Sequence, residues 1–326
     1  MKYIYCLIST VKDIYYEQAF ISITSLRMHT PNAFVTLFTD KETIDSIENR
    51  KADIRKIADE VIIENFESKV SNFKRSRMLK TAMRNRIEGD FLYIDSDTVV
   101  CQDLSEIGDI NFELGAVLDG HTLNLLNFRR FSVIVPLKRM LNKADFYDYP
   151  YYFNSGLLFV RDTKCNRIFF EKWSENYFLG CQRGVRIDQP SLALTNYQSN
   201  FPIKELDGRW NVQVWNGANY LHNAKIMHYY ASDDSEYEPF SRTLPLKLKE
   251  MGCLTEDELF LVAQPRGFFG KAAFIAVGDD YEICRSNIGG LLRKLYKHKF
   301  LFKLIDKIFA LPRMINARLY SRRRNK

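Results

Sequence analysis

The first 230 residues contain short apolar runs that alternate with longer stretches of helical spacing. The apolar runs predict four β-strands, at residues 3–10, 33–38, 60–63 and 89–94. The longer stretches predict three helices, at residues 15–28, 41–58 and 75–86. Strands that alternate with helices are typical of a mostly parallel sheet with helices on both faces. The pattern therefore predicts an α/β protein with a doubly wound sheet.

The pattern continues less regularly towards the C-terminus. Further elements are predicted as strands at 115–119, 153–160 and 224–229 and a helix at 166–180. Residues 121–150 have no clear period and are interpreted as an inserted loop or lid. Asp188 and Pro190 predict the start of another helix, because Asp suits the N-cap and Pro the first turn. Five glycines between 267 and 290 indicate a boundary, which gives a domain of residues 1–265 and a C-terminal segment of residues 266–326.

Composition narrows the class of protein. Of the 326 residues, 46% are hydrophobic, which is enough for a sizeable core and excludes a disordered chain. The six cysteines form no C-x-x-C pair, so a zinc knuckle is excluded and the thiols are expected to be reduced, as in the cytoplasm. No window of 18 residues is apolar throughout, so no transmembrane helix is predicted.

The positive charge of the chain is concentrated at its C-terminus. Residues 291–326 contain twelve Lys or Arg and a single acidic residue, Asp306. Apolar residues recur among these cations with helical spacing, which predicts a basic amphipathic helix that lies on an anionic membrane surface. The alternatives are a C-terminal helix packed on the rest of the chain and, ranked third, a nucleic-acid-binding tail. No RNA- or DNA-binding fold signature accompanies the tail, so nucleic acid is not an expected partner.

The triplet Asp95-Ser96-Asp97 is the strongest chemical signal in the sequence. It directly follows the predicted strand at 89–94, and ligands of open α/β sheets bind beyond the carboxyl ends of strands. Two carboxylates one residue apart can hold one divalent cation with a diphosphate on its far side, and hard oxygen ligands suit Mn²⁺ or Mg²⁺. The competing interpretation of the triplet is a solvated turn.

Further motifs follow in a fixed order along the chain. They are Ser9-Thr10 with Tyr15 and Ser25-Leu26, Arg77 ahead of Phe91–Asp97, Asp119, Tyr152–Leu157, Asp188-Gln189, Arg209–Asn211 and Ile226–Tyr229. In this order the set resembles glycosyltransferase family 8, retaining enzymes of GT-A fold that include glycogenin and bacterial lipopolysaccharide glucosyl- and galactosyltransferases. The resemblance covers residues 3–232. It implies a Rossmann-like, mostly parallel sheet flanked by helices, to which the basic amphipathic helical tail is added.

The resemblance implies how the metal and the nucleotide are bound. The metal, Mn²⁺ or Mg²⁺, would be held by Asp95, Asp97 and His228 together with the donor diphosphate. Thr10 and Tyr15 would contact the uracil and the ribose. Two further residues would contact the donor, namely Ser96 and Arg77. Arg77 belongs to a run of seven Lys or Arg between residues 69 and 86, which otherwise predicts a solvated helix face.

The resemblance also implies contacts with the transferred sugar. Asp119, Asn154 and Asp188 would bind its hydroxyls, and Gln189 would lie on the β-face of the anomeric carbon, so that Asp188 and Gln189 are the expected catalytic residues. Each residue type also has a structural interpretation. Asp119 and Asp188 suit turn and helix caps, Asn154 suits a tight turn, and His228 suits a satisfied core position.

One position departs from the family pattern. Family members usually follow the strand histidine with a Gly-x-x-Lys-Pro-Trp-like loop whose lysine contacts the diphosphate. Here Pro239-Phe240 stands at the Pro-Trp position, and Glu238 replaces the lysine. Either Arg242 or Arg77 compensates for the missing cation, or the activity is reduced, or the donor differs.

Motifs and resemblance together predict a metal-dependent retaining hexosyltransferase. The expected donor is UDP-glucose or UDP-galactose, and the expected acceptor is a saccharide or glycolipid in lipopolysaccharide or other surface-glycan synthesis. The basic tail places the protein in the cytoplasm, peripheral on the inner face of the membrane. Two alternatives stay open. One is a non-catalytic protein that binds a sugar nucleotide or glycan at the membrane surface, suggested by Glu238. The other is an inverting enzyme with Asp188 as general base.

Overall fold

The computed structural model describes residues 1–67, 69–123, 130–141, 149–214, 217–229 and 240–265, and seven positions between 298 and 307. The chain divides into two compact units, Met1–Ala273 and Phe274–Lys326. The fold described below is that of the first unit. The predicted boundary after residue 265 stays a prediction, because residues 266–297 lie outside the described part of the chain.

The described residues form ten strands. They are β1 (Lys2–Leu7), β2 (Phe34–Asp40), β3 (Glu60–Glu64), β4 (Phe91–Ile94), β5 (Thr98–Val100), β6 (Leu114–Leu118), β7 (Phe153–Val160), β8 (Lys204–Glu205), β9 (Val212–Gln213) and β10 (Ile226–His228). Seven of them build one sheet in the order β3-β2-β1-β4-β7-β6-β8. The pairs β1–β2, β2–β3, β1–β4 and β6–β8 are parallel, whereas β7 is antiparallel to both of its neighbours. The predicted mostly parallel sheet is therefore confirmed, with one reversed strand in it.

The reversed strand β7 decides which side chains meet at one edge of the sheet. Because β7 runs against β4 and β6, its first residues lie beside the last residues of those two strands. Ile94 pairs with Leu157, and Leu118 pairs with Phe153. The carboxyl ends of β4 and β6 and the amino end of β7 therefore share a single edge.

A smaller sheet of three strands, in the order β5-β10-β9, continues from the end of β4. Strand β10 is antiparallel to β5 and parallel to β9. His228 pairs with Thr98, the residue after Asp97, and also with Gln213. Two segments that are far apart in the sequence are thereby placed side by side at the end of β4.

Helices cover both faces of the large sheet. The described residues form α1 (Tyr15–His29), α2 (Lys41–Asp45), α3 (Asn72–Arg86), α4 (Arg130–Leu141), α5 (Lys164–Gln182), α6 (Gln189–Gln198), α7 (Thr243–Met251) and α8 (Glu256–Ala263). Strand β1 alternates between two apolar clusters, because successive side chains of a strand point to opposite faces. Tyr5 and Leu7 join the cluster that contains α1, and Ile4 and Cys6 join the cluster that contains α3 and α5. The predicted helix layers on both faces are therefore present.

The segment predicted as one helix at 41–58 is broken. Helix α2 ends at Asp45, and two short 3₁₀ turns follow up to Lys56. Between these turns, Arg50 points inward and pairs with Glu17 at 2.8 Å, both side chains being almost fully buried. Breaking a buried ion pair is strongly destabilising, so this tertiary contact overrides the local helical pattern.

Two predicted segments lie largely outside the described residues. Glu238 and the rest of 230–239 are among the residues not described, as are all but seven positions of the basic segment 291–326. Of the irregular segment 121–150, the described part contains helix α4. Within the described residues, no helix combines the length and the apolar character that a membrane span requires.

Candidate active site

The edge where β4, β6 and β7 meet collects several of the predicted polar residues. Asp95 follows β4, Asp119 follows β6, and Asn154 is the second residue of β7. Backbone hydrogen bonds fix these chain ends. The Asp95 N–H donates to the Gly156 carbonyl at 2.8 Å, and the Asp119 N–H donates to the Tyr152 carbonyl at 2.8 Å. Backbone pairing therefore brings three of the expected donor-binding residues together.

Asp95, Asp97 and His228 form a cluster of candidate metal ligands. One possible ligand atom from each residue lies within 4.8 Å of the other two. His228 Nε2 lies 3.3 Å from Asp97 Oδ1 and 4.0 Å from Asp95 Oδ2. Carboxylate oxygens together with an imidazole nitrogen suit Mn²⁺, and carboxylates also suit Mg²⁺. The three residues therefore fit a divalent cation of this kind.

A chain of hydrogen bonds links the candidate metal ligands to Asp119. The Gly156 N–H donates to Asn154 Oδ1 at 2.9 Å, so that oxygen is an acceptor and Asn154 Nδ2 donates to Asp119 Oδ1 at 3.1 Å. Asn211 Nδ2 also donates to Asn154 Oδ1, at 2.9 Å. Asn211 Oδ1 is thereby directed to His228 Nδ1, 3.1 Å away.

This chain sets the orientation of the His228 imidazole. A carboxamide oxygen can only accept, so Nδ1 of His228 carries the proton and Nε2 faces the two carboxylates. Burial lowers the pKa of His228, but the Asp97 and Asp95 carboxylates outweigh burial and raise it. Asn211, which the sequence suggests as core packing or as part of an acceptor platform, orients a candidate metal ligand here.

Gly156 lies against two of the candidate metal ligands, His228 and Asp95. A Cβ atom at this position would lie 2.4 Å from His228 Cε1 and 2.8 Å from Asp95 Oδ2. Real Cβ atoms do not approach other atoms so closely, so any side chain would displace a candidate metal ligand. The structure thus supplies a steric reason for the glycine in the Asn-Ser-Gly motif.

Asp188 occupies the N-cap position of α6, as predicted, but its side chain makes no capping hydrogen bond. Ser155 Oγ donates to Asp188 Oδ2 at 2.7 Å, Arg77 Nε lies 3.1 Å from Oδ1, and Lys80 Nζ lies 3.4 Å from Oδ2. Burial alone would raise the pKa of Asp188, but Lys80 and Arg77 outweigh burial and lower it to about 2. Asp188 is therefore a buried carboxylate beside the half-buried Gln189, the first residue of α6.

Two cations reach the site from one side of α3. Arg77 and Lys80 are three residues apart and so project from the same helix face. Lys80 Nζ lies 3.1 Å from Asp95 Oδ1, and the Tyr93 hydroxyl donates to the same oxygen. Of the seven cations in the basic run at residues 69–86, only Arg77 is predicted to point into the site. The inward position of Lys80 is not predicted. The spacing of Arg77, Lys80 and Arg84 is the signal that could have found it, because the three lie on one face.

Thr10 and Tyr15 lie in and after the turn that connects β1 to α1. The Thr10 N–H and Oγ1 both donate to Asp13 Oδ2, at 2.8 and 2.9 Å. Tyr15 is the first residue of α1 and its side chain is exposed. Ser96 is half-buried between the two aspartates of the triplet. The contacts of these residues with a nucleotide stay predictions.

The fold and the site define a glycosyltransferase of the GT-A type. More particularly, the chain belongs to glycosyl transferase family 8, whose family model matches residues 6–233. The resemblance that the motifs carried is thereby confirmed.

Two solved structures illustrate the similarity of the fold. The galactosyltransferase LgtC in complex with donor and acceptor sugar analogs shares 16% identity, covers 79% of this chain and 98% of its own, and has a TM-score of 0.51. An active-site variant of LgtC with glutamate in place of glutamine shares 15% identity, with coverages of 79% and 98% and a TM-score of 0.51. At these identities the likeness concerns the fold alone. No curated protein matches the chain in sequence.

Proposed function

We propose that the protein transfers a hexose from UDP-glucose or UDP-galactose to a saccharide acceptor, with retention of the anomeric configuration and with Mn²⁺ or Mg²⁺ as cofactor. The observation that carries the proposal is the convergence of Asp95, Asp97 and His228 within 4.8 Å of one another. Lys80 links this cluster to Asp188, so the candidate metal site and a candidate sugar-binding carboxylate are neighbours.

The site offers positive charge for the departing diphosphate. A divalent cation held by Asp95, Asp97 and His228 would offset the charge that develops on the leaving group. Arg77 Nε faces Asp188, and Arg77 Nη1 donates to Ser76 Oγ at 3.2 Å. The remaining N–H groups of the guanidinium can donate to a ligand. Arg242, exposed directly before α7, is a second candidate for the role of the family's loop lysine. The loop with Glu238 itself lies outside the described residues.

Asp119, Asn154 and Asp188 are proposed to bind the hydroxyls of the transferred hexose. Asp119 and Asn154 are hydrogen-bonded to each other, and Asp188 is held by Ser155. An ionised carboxylate has about four acceptor positions, so each aspartate keeps capacity for sugar hydroxyls. Fixed acceptors of this kind position a hydroxyl-rich ligand and thereby lower the barrier to reaction.

The proposed reaction takes place on one face of the sugar. The bond between the anomeric carbon and the diphosphate oxygen breaks and leaves its electron pair on UDP, while the acceptor oxygen forms a bond on the same face. The acceptor proton passes to a phosphate oxygen of the departing UDP. Gln189, a neutral amide and a poor nucleophile, would face the anomeric carbon. The active site of LgtC also contains a glutamine, which is replaced by glutamate in the variant.

The pKa of Asp188 argues against the inverting alternative. An efficient general base has a pKa near the working pH. Lys80 and Arg77 outweigh burial and lower the pKa of Asp188 to about 2, so this carboxylate is a weak base at neutral pH. The same charge state suits a hydrogen-bond acceptor for sugar hydroxyls.

The test is UDP release from UDP-glucose and from UDP-galactose, each with Mn²⁺ and with EDTA. Asp97→Asn removes a candidate metal ligand. The matched control is Asp103→Asn, because Asp103 accepts hydrogen bonds from Ser105 in an exposed turn. We expect release that requires metal, is kept in the control and is lost in Asp97→Asn. UDP binding without release from either donor would contradict the proposal and favour a sugar-nucleotide-binding role.

For the basic segment, we propose docking on an anionic membrane surface. Its described helical positions include three exposed apolar residues, Phe300, Leu301 and Leu304, and two exposed cations, Lys303 and Lys307. Apolar side chains exposed among cations fit a helix that lies in the membrane interface. Each cation near such a surface contributes about 1 kcal/mol. Docking would place the protein at a glycolipid acceptor, as lipopolysaccharide or surface-glycan synthesis requires.

Sedimentation with lipid vesicles tests this docking. We expect binding to vesicles that contain an anionic lipid and little binding to neutral phosphatidylcholine vesicles. Phe300→Ser should weaken binding about 10- to 100-fold, because a buried aromatic ring contributes roughly 1.5–3 kcal/mol. Phe260→Ser is the matched control, since Phe260 is 70% exposed on α8. Equal binding to both kinds of vesicle, or no effect of Phe300→Ser, would contradict the proposal.

A further inference from the structure

Lys80 is a buried cation to which the proposed reaction gives no role. Its side chain is 6% exposed, and its ammonium lies 3.1 and 3.3 Å from the two carboxylate oxygens of Asp95. The same ammonium lies 3.4 Å from Asp188 Oδ2. It also lies 5.1 Å from the centre of the Tyr93 ring. Lys80 thus contacts both Asp95, a candidate metal ligand, and Asp188, which is proposed to bind the sugar.

We infer that Lys80 is a positioning residue that joins Asp95 to Asp188 and limits the strength with which the cluster holds a divalent cation. The inference deepens the proposed function and rests on it for the contact of Asp188 with the sugar. Its part on metal affinity rests only on the geometry around Asp95.

The positioning part follows from the contacts of Asp188. An ammonium has three N–H donors and can serve both carboxylates at once. Ser155 donates to Asp188 Oδ2, Arg77 contacts Oδ1, and Lys80 contacts Oδ2 from the side of β4. Without Lys80, Asp188 loses the contact that ties it to Asp95. A displacement of about 1 Å in a positioned group can lower a rate about 100-fold, so turnover should fall.

The metal part follows from the charge of the ammonium. A cation in contact with Asp95 repels a divalent ion that the same carboxylate binds, and burial leaves little solvent to screen this repulsion. Two other hydrogen bonds hold Asp95. The Tyr93 hydroxyl donates to the Asp95 carboxylate, and the Asp95 backbone N–H donates to the Gly156 carbonyl, so Asp95 keeps its orientation without Lys80. Removal of the ammonium should therefore strengthen metal binding.

These two effects have opposite directions, which separates them from a loss of structure. A residue that only stabilises the fold would, when replaced, weaken metal binding and turnover together. For Lys80 we expect tighter metal binding and slower turnover in the same variant. The comparison of the two quantities is therefore more informative than either one alone.

The experiment uses Lys80→Met, which keeps the side-chain length and removes the charge. The matched control is Lys74→Met on the same helix, where the Lys74 ammonium lies 5.5 Å from the ring centre of Phe178. Mn²⁺ binding is followed through the electron paramagnetic resonance signal of the free ion, and UDP release is followed at saturating donor. For Lys80→Met we expect a Mn²⁺ dissociation constant about tenfold lower and a turnover number about 100-fold lower. Lys74→Met should leave both within about twofold of wild type.

An unchanged or weaker Mn²⁺ affinity in Lys80→Met would overturn the inference, and so would a turnover number within about threefold of wild type. If the wild type binds Mn²⁺ but releases no UDP from either donor, the proposed function fails separately, and the Mn²⁺ comparison alone decides the role of Lys80. If Lys80→Met does not fold, Lys80→Met/Asp188→Asn removes a buried negative charge as well. Its Mn²⁺ affinity is then compared with that of Asp188→Asn, with the same expected increase.

Discussion

Both ends of β4 carry charged side chains, but the two ends are built differently. At the amino end, Asp90 pairs with Arg161 at 2.6 Å, and Asp162 pairs with Arg84 at 3.2 Å and with Arg167 at 2.6 Å. The cations of this network outnumber its carboxylates, which stay 34% and 24% exposed. Each carboxylate of this network already has a cationic partner, so the network needs no bound metal ion.

At the carboxyl end the balance is reversed. Asp95, Asp97 and Asp188 lie near two cations, Arg77 and Lys80, and the Asp188 side chain is only 7% exposed. The three carboxylates exceed the two cations, and such an excess in a partly buried site is costly unless a further cation neutralises it. An excess of carboxylates over cations, rather than the number of charges, therefore distinguishes the candidate active site from a structural ion network.

The same substitution at the two ends of β4 should give the largest contrast. Asp95→Asn removes a candidate metal ligand and should lower metal-dependent UDP release about 1,000-fold, which corresponds to roughly 4 kcal/mol of transition-state stabilisation. Asp90→Asn weakens one partly exposed ion pair and should change release by less than about threefold. Steady-state assays of UDP release check both. A similar loss in both variants would remove the distinction between the two ends.

The second largest effect is expected from Gly156→Ala. The new Cβ would lie 2.4 Å from His228 Cε1 and 2.8 Å from Asp95 Oδ2, so these two candidate ligands cannot both keep their positions. We expect UDP release to fall about 100-fold, since a displacement of about 1 Å can cost that much. Gly108→Ala is the control, because a Cβ there meets no atom within 4 Å. Full activity in Gly156→Ala would show that the described packing of His228 is wrong.

A smaller effect is expected from Asn211→Ala, which removes the hydrogen-bond partner of His228 Nδ1. Loss of a residue that orients a metal ligand typically lowers metal affinity about 10- to 100-fold. Mn²⁺ titration monitored by paramagnetic resonance measures this change. Asn85→Ala is the control, because Asn85 donates to the Arg167 carbonyl near the other end of β4. Equal Mn²⁺ affinities in the two variants would contradict the orienting role.

The smallest effect concerns stability and pH. Burial raises the pKa of Asp188, but Lys80 and Arg77 outweigh it and lower the pKa from 3.8 to about 2. The ionised carboxylate therefore adds stability at pH values above about 4, and this contribution of about 2 kcal/mol is lost as the pH falls to 2. Unfolding in EDTA between pH 5 and pH 2 checks this. The difference in unfolding free energy between wild type and Asp188→Asn should shrink with falling pH, and a constant difference would contradict the assignment.

The sequence predicts one half of the site better than the other. Asp95 and Asp97 follow an apolar strand, and the carboxyl ends of strands are where α/β sheets bind ligands. Asn154 and His228 entered through the family resemblance instead. Their approach to Asp95 depends on the reversal of β7 and on the pairing of β10 with β5, and no local pattern encodes either feature.

Lys80 and Gly156 show why the remainder could not be predicted. Lys80 lies in a basic run, and such runs usually form solvated helix faces. Its burial results from the packing of α3 on the large sheet, at β1 and β2, and on α5. The steric demand on Gly156 exists only when His228 and Asp95 are both in place. Arg50 breaks the predicted helix at 41–58 for a similar reason, because its partner Glu17 lies on another helix. In each case a contact between residues far apart in the sequence determines the local structure, and the local sequence pattern does not contain it.

A Mn²⁺ titration of wild type, Asp95→Asn and Asp90→Asn, followed through the paramagnetic resonance signal of the free ion, tests the metal site most directly. We expect binding in wild type and in Asp90→Asn, and no binding in Asp95→Asn. Binding that survives in Asp95→Asn, or that is lost equally in Asp90→Asn, would contradict the claim that the carboxyl end of β4 holds the metal.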